Sequence, residues 1–100
     1  MPVYVTLFKW TDSGIKDVKN APARMTESRK IIEQHEGKIL GLYVIMGEYD
    51  LVSVTEWPND EAAVGAALAT SSRGIARTST MRAFTEQEFT TIANKLPPAK

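Results

Sequence analysis

Few residues in this chain have the chemistry for catalysis or for holding a ligand, and their spacing limits what each could do. The stretch "VIMGEYDLVS", residues 44–53, sets Gly47-Glu48-Tyr49-Asp50 between two apolar runs. Gly47 suits a backbone position with positive φ, and Glu48 is a solvated turn residue, so a hairpin turn accounts for both. It leaves Tyr49 and Asp50 unexplained. An aspartate just inside an apolar strand must reach solvent or meet a donor. Asp50 is therefore either a turn residue accepting backbone or hydroxyl hydrogen bonds or, if burial raises its pKa, a general base.

His35 is the only histidine, and there is no cysteine. At the end of a helix it interacts with the C-terminal dipole or completes an apolar stripe. It is also the second candidate for a catalytic base, although Glu33 and Glu36 lie on other faces and cannot orient it. Without cysteine there is no disulfide, thiolate nucleophile or thiolate metal site. With no His/carboxylate pair at i, i+4, no metal site within one chain is expected. "SGIK" and "SRGIA" hold isolated glycines without a phosphate-loop pattern, and no cofactor is expected.

Arg77 and Arg82 bracket Thr78-Ser79-Thr80. Guanidinium and hydroxyl donors suit an anion or a carboxylate-bearing ligand. The arginines have opposite parity on a strand, so they face opposite ways; the alternative role is edge charge that discourages extra pairing. Tyr4, Thr6, Phe8, Tyr43 and Trp57 either line an apolar pocket with hydroxyl handles or fill a core or dimer interface. The candidate ligand-binding set is Tyr4, Thr6, Tyr43, Tyr49, Asp50, Arg77 and Arg82.

The elements that must position these residues follow from pattern. "VYVTLFKW", residues 3–10, is a strand by its β-branched and aromatic content. Alternation puts Val3, Val5 and Leu7 on one face and Tyr4, Thr6, Phe8 and Trp10 on the other. After a loop with a short helical turn, a helix runs from about Ala21 to Glu36, with Asn20 as N-cap and Pro22 in its first turn. Met25, Ser28, Ile32 and His35 form its stripe, and Gly37 suits the left-handed residue that ends it. Strands at about 38–46 and 50–57 flank the opening stretch. An alanine-rich helix follows Pro58-Asn59 and can lie close to a sheet. "IARTSTMRAF" is the fourth strand. Thr85 and Glu88 then form a capping box, with Phe84 and Phe89 at the hydrophobic-staple positions of a last helix.

The order is α+β: a ferredoxin-like βαββαβ arrangement with a C-terminal helix and a four-stranded antiparallel sheet. At 100 residues it is one domain, residues 1–100. Two helices cover only one face of such a sheet. The other apolar face of the first strand needs a cover, and a homodimer or higher homo-oligomer supplies it.

Three blocks in order, "YVTLFKWTDSGIK", "MGEYDLV" and "RTSTMRAF", resemble the GYD-domain family, named for a Gly-Tyr-Asp signature. Here Glu48 separates Gly47 from Tyr49. The resemblance spans about Val3 to Leu96 and implies a ferredoxin-like fold of the dimeric α+β barrel kind. It implies architecture and no particular chemistry.

Twelve basic and twelve acidic residues cancel, so no net field recruits nucleic acid or an acidic membrane. No apolar run approaches a membrane span, and the N-terminus lacks a signal-peptide pattern; a cytoplasmic location is expected. The expected function is binding of a small organic metabolite in a barrel or sheet–helix pocket. The alternatives are a cofactor-independent isomerase- or monooxygenase-like enzyme, with Asp50 as base and Tyr43 or Arg77 stabilising charge, and a non-catalytic structural or assembly module.

Overall fold

Strand and helix periods translate directly into a two-layer arrangement in the computed structural model, which describes residues 1–99. The order is β1 (Val3–Trp10), α1 (Asp12–Lys16), a 3₁₀ turn (Val18–Asn20), α2 (Ala21–Gln34), β2 (Lys38–Val44), β3 (Leu51–Glu56), α3 (Asp60–Ser72), β4 (Ala76–Ala83) and α4 (Glu86–Asn94). The sheet order is β2-β3-β1-β4, and every neighbouring pair is antiparallel. Each half, β1-α2-β2 and β3-α3-β4, straddles a strand of the other half. This is the ferredoxin-like βαββαβ fold with an added C-terminal helix.

The alternation expected for β1 holds. Tyr4 and Thr6 are buried under the helices, whereas Val5 and Leu7 on the opposite face are half-buried. Leu51, Ser53 and Thr55 of β3 share the buried face with Tyr4 and Thr6, and Val52 and Val54 share the open one. Strand β2 departs from simple alternation. A bulge at Leu40 pairs Ile39 with Thr55 and Leu42 with Ser53, so an odd and an even residue face the same way.

Two details of α2 differ from the sequence expectation. Asn20 does not cap the helix: it belongs to the preceding 3₁₀ turn, with φ −91° and ψ 0°, and its amide donates to Asp17 Oδ1 at 2.6 Å. A residue already wound into a turn cannot direct its side chain at the next helix's free N–H groups. The left-handed residue at the other end is Glu36, with φ 68°, and not Gly37. Gly37 N–H bonds to Ile32 O at 2.9 Å and Glu36 N–H to Glu33 O at 3.2 Å, the paired bonds of a Schellman ending. Gly37 is glycine because of crowding. A Cβ there would lie 2.7 Å from both the Trp57 ring and Ile32 Cγ2.

The other helix starts follow the sequence. Asn59 accepts from Ala62 N–H at 2.9 Å, and Thr85 and Glu88 form both bonds of the capping box. The core is small: Tyr4, Trp57 and Ala63 form its buried centre, with Ile32, Ala62 and Ala66 packed around it. Helix α4 contributes nothing to that core. None of its residues is buried, Phe89 is 62% exposed, and Leu96 just beyond the helix is 64% exposed. With Phe84 also more than half exposed, the staple positions are occupied by the expected residues but remain largely open to solvent. The chain is accordingly elongated, 55 × 31 × 20 Å, with a radius of gyration of 15.8 Å, against about 13 Å for a compact domain of this length.

Candidate functional site

The space between sheet and helices is where a ferredoxin-like fold normally puts its apolar core. Here the middle of that layer is hydroxylic. Cross-strand pairing sets Ser53, Thr6 and Thr80 in one row, with Thr55, Tyr4 and Arg82 in the row beside it. Thr6, Ser53 and Thr55 are all buried, and the Thr6 and Thr80 hydroxyls lie 3.1 Å apart. The facing wall of α3 is built from alanine and glycine at positions 62, 63, 65, 66, 67 and 69. Short side chains on one side and hydroxyls on the other cannot fill the gap.

A cavity of about 460 Å³ results. Tyr4, Phe8 and Trp57 supply its aromatic surface, the β-strand hydroxyls its floor, and Ser28, Ile31 and Ile32 of α2 one wall. His35 lines it where α2 ends, and Arg73 where α3 ends. These residues sit at opposite ends of the cleft. His35 leads into Lys38, which pairs with Glu56 near the start of β1, while Arg73 leads into Ala76, which pairs with Trp10 at its end.

Electrostatics in the cavity are muted. The Tyr4 hydroxyl donates to Asp60 Oδ1. Burial, reinforced by that bond and the nearby carboxylate, holds the phenol above its ordinary pKa, so it remains a neutral donor. His35 Nδ1 lies 2.8 Å from Ile31 O. A carbonyl accepts only, so Nδ1 carries the proton and a neutral ring keeps its lone pair on Nε2.

Of the residues singled out in the sequence, Tyr4, Thr6, Phe8, Trp57 and His35 line this cavity. Tyr43, Tyr49, Asp50, Arg77 and Arg82 do not. The register behind the Leu40 bulge pairs Tyr43 with Val52 on the open face, where it is 61% exposed. Arg77 pairs with Lys9 on that open face. Arg82 shares the helix-side face but turns toward the rim, its guanidinium 4.6 Å from the Phe84 ring centre and 5.8 Å from that of Tyr4. The opposite directions expected for the two arginines are those observed.

Tyr49 is half-buried in the loop between β2 and β3. Asp50 ties that loop to β1. Its Oδ2 accepts the Trp10 N–H at 2.9 Å, its own N–H donates to Phe8 O at 2.8 Å, and its carbonyl accepts from Ile45 N–H at 2.9 Å. Gly47 supplies the positive φ of the loop, 116°. Polar cavity residues not singled out are Ser53, Thr55, Thr70 and Arg73, and the sequence places Ser28 only in the stripe of α2. For Ser53 and Thr55 a signal existed: "LVSVTE" alternates valine with hydroxyl residues, which on a helix-covered strand marks a polar inner face. Among the described residues, no group of three or more His, Cys, Asp or Glu side chains is placed to hold a metal ion.

The architecture and cleft define a class: a small ferredoxin-like α+β domain with a hydroxyl-floored cavity between sheet and helices. More narrowly, residues 4–93 match the GYD domain, and the chain belongs to the GYD-domain family. It is similar to a Thermus thermophilus protein named "Glutamine synthetase and cystathionine beta-lyase binding protein", 31% identical over 85 residues that cover 84% of this chain and 90% of that protein. Its fold is similar to the crystal structure of a hypothetical protein from Pyrococcus horikoshii, at 21% identity and a TM-score of 0.50, covering 86% of this chain and 93% of that one.

Proposed function

We propose that this domain binds a small organic metabolite in the cleft between its sheet and helices. The observation that carries this reading is the composition of the layer that should be core. Burying hydroxyls in place of aliphatic groups forgoes hydrophobic stabilisation. Facing them with alanines leaves a void that stabilises nothing by itself. Such a layer makes physical sense when a guest completes it, with hydroxyls as orienting handles and Tyr4, Phe8 and Trp57 as contact surface. Turnover would need a base inside the cleft. His35 is the one imidazole lining the cleft, and its ring is held by the Ile31 carbonyl with no carboxylate partner among the described residues, which favours binding over catalysis.

The test is a screen of neutral, drug-fragment-sized compounds by amide NMR. Expected hits perturb Thr6, Ser53, Thr80 and the Trp57 indole together. Filling the void with Ala66→Phe is expected to abolish those shifts while the protein stays folded. A screen without such hits, or shifts confined to the open sheet face, would overturn the reading.

A protein-binding role is the second reading, and a specific observation favours it. Helix α4 presents Phe89 and Ile92 as exposed apolar residues, with Leu96 exposed just after its end, an apolar face of the kind that docks into a partner's groove. The Thermus relative bears the name of a protein that binds two enzymes. Purified glutamine synthetase is expected to co-elute with the parent protein and not with a Phe89→Asp variant; equal behaviour of the two would remove the α4 assignment.

A further inference from the structure

A second, smaller cavity of about 140 Å³ adjoins the first, with Phe8, Ser28, Ser53, Thr70 and Arg73 lining both. Trp10 and Ala76, paired at the end of β1, place it at the Arg73 end of the cleft. Arg24, projecting from α2, also lines this smaller cavity. Its Nη1 donates to Asp17, to Oδ2 at 2.6 Å and to the carbonyl at 3.0 Å. Its Nη2 is buried and has no hydrogen-bond partner among the described residues. Buried guanidinium nitrogens are rarely left without an acceptor, because desolvating the N–H without replacing its bond to water costs stability.

Arg73 compounds the imbalance. It makes no ion pair among the described residues, where Asp17 with Arg24 is the one pair formed. This end of the cleft thus holds two guanidiniums, of which only Arg24 is paired, while the Asp50 carboxylate nearby is engaged by the Trp10 N–H. The far end, by contrast, is aromatic around Tyr4 and Trp57, where the Tyr4 hydroxyl donates to the Asp60 carboxylate. A helix C-terminus accounts for an arginine at position 73 through its dipole, but not for Arg24, with its unpartnered nitrogen, lining the same small space.

We infer that the two cavities together hold one elongated organic anion. Its apolar body lies in the larger cavity against Tyr4, Phe8 and Trp57. Its terminal carboxylate or phosphate lies in the smaller one, where one oxygen accepts from Arg24 Nη2 and another from Arg73, with Ser28 as a further donor. The inference rests on the small-molecule reading and adds the charge and orientation of the guest.

The experiment titrates the intact protein with 2-naphthoate, 2-naphthyl phosphate and the neutral 2-naphthamide. Indole N–H resonances are followed by NMR, because Trp57 lines the larger cavity and Trp10 the smaller. At least one anion is expected to bind about tenfold or more tightly than the amide, as one charge-assisted hydrogen bond supplies. Both indoles should shift with the anion and mainly Trp57 with the amide. Which anion binds more tightly distinguishes carboxylate from phosphate. Arg73→Gln, at an exposed position outside the core, should erase most of the preference while the amide binds unchanged. Arg24→Gln should do the same where it folds, and Arg73→Gln carries the test where it does not. Equal binding of acid and amide, or a preference untouched by Arg73→Gln, overturns the inference and leaves the small-molecule reading standing; Arg24 Nη2 is then satisfied by water. Binding of none of the three probes, while neutral fragments still occupy the cleft, also overturns this inference alone. If the neutral fragments fail as well, both readings fall.

Discussion

At the scale of single residues, Asp50 shows how a side chain can continue a sheet where the backbone stops. Pairing of β1 with β3 ends at Phe8 and Leu51. Phe8 O and Trp10 N point to the same side of β1, and beyond Leu51 no strand residue remains to meet the Trp10 N–H. The Asp50 carboxylate meets it instead. Asp50→Ala should therefore strand a half-buried donor and cost about 1–3 kcal/mol, whereas Asp50→Asn keeps an acceptor oxygen and most of the stability. Urea unfolding of both variants checks this. A loss with Asn as large as with Ala would show that charge matters and the acceptor oxygen does not. The sequence raised both this structural role and a catalytic one; its own parity rules put Tyr4, Thr6 and Phe8 on one face of β1, as observed, because strand alternation is local. Tyr43 escaped those rules because the bulge at Leu40 changes the facing of every later residue in β2, and a bulge has no clear signature in "KILGLYV". Arg24 escaped for a different reason, since its unpartnered nitrogen depends on how α2 meets Asp17 and the sheet.

At the scale of elements, helix ends were legible where the capping group is carried within the motif and illegible where it depends on what precedes it. Asn59 and Thr85 cap as their spacing implies, while Asn20 is claimed by the 3₁₀ turn and Glu36 takes the left-handed position beside a glycine reserved for Trp57. The capping box of α4 makes the sharper prediction. Thr85 Oγ1 accepts the Glu88 N–H at 3.1 Å, and Glu88 Oε1 accepts the Thr85 N–H at 2.9 Å. The hydrogen bond from the Thr85 backbone holds the Glu88 carboxyl below its ordinary pKa, against a smaller opposing effect of desolvation. A depressed folded-state pKa means that the ionised box stabilises the helix above the ordinary glutamate range and that this contribution is lost as pH falls through the depressed value. Thr85→Ala should cost roughly 1 kcal/mol of helix stability at neutral pH. The double variant with Glu88→Ala should lose less than the two single losses added together. Because α4 has no buried residue, the readout is amide exchange in residues 86–94 and not the global melt. Strict additivity, or protection relative to the intrinsic exchange rate that does not fall with acidification, would mean that the box does not form in solution.

At the scale of the whole molecule, the parts left uncovered point one way. Val5, Leu7, Val52 and Val54 form the centre of a sheet face that no helix crosses, and Tyr43 and Met81, at 61% and 44% exposure, extend it toward both edges. Helix α4 adds Phe89 and Ile92, and the segment after it adds Leu96. Contiguous apolar surface on this scale is costly for a monomer in water. A chain of this size already buries only about two thirds of its unfolded surface, so it has little stability to spare. We propose that two copies associate with open sheet face against open sheet face, which removes the largest patch, and that α4 closes over the edge of that interface. Light scattering at micromolar concentration should then give at least twice the 11.1 kDa of one chain. Val54→Glu puts a charge at the centre of the proposed interface and should return the mass to one chain, since an unpaired carboxylate there would be desolvated. Phe89→Ser, removing one α4 anchor, should weaken the dimer and raise the concentration at which it forms, while far-UV circular dichroism stays that of the parent. A parent protein that scatters as a single chain at high micromolar concentration ends the dimer proposal. A dimer that survives Val54→Glu but not Phe89→Ser would move the interface from the sheet to the C-terminal helix.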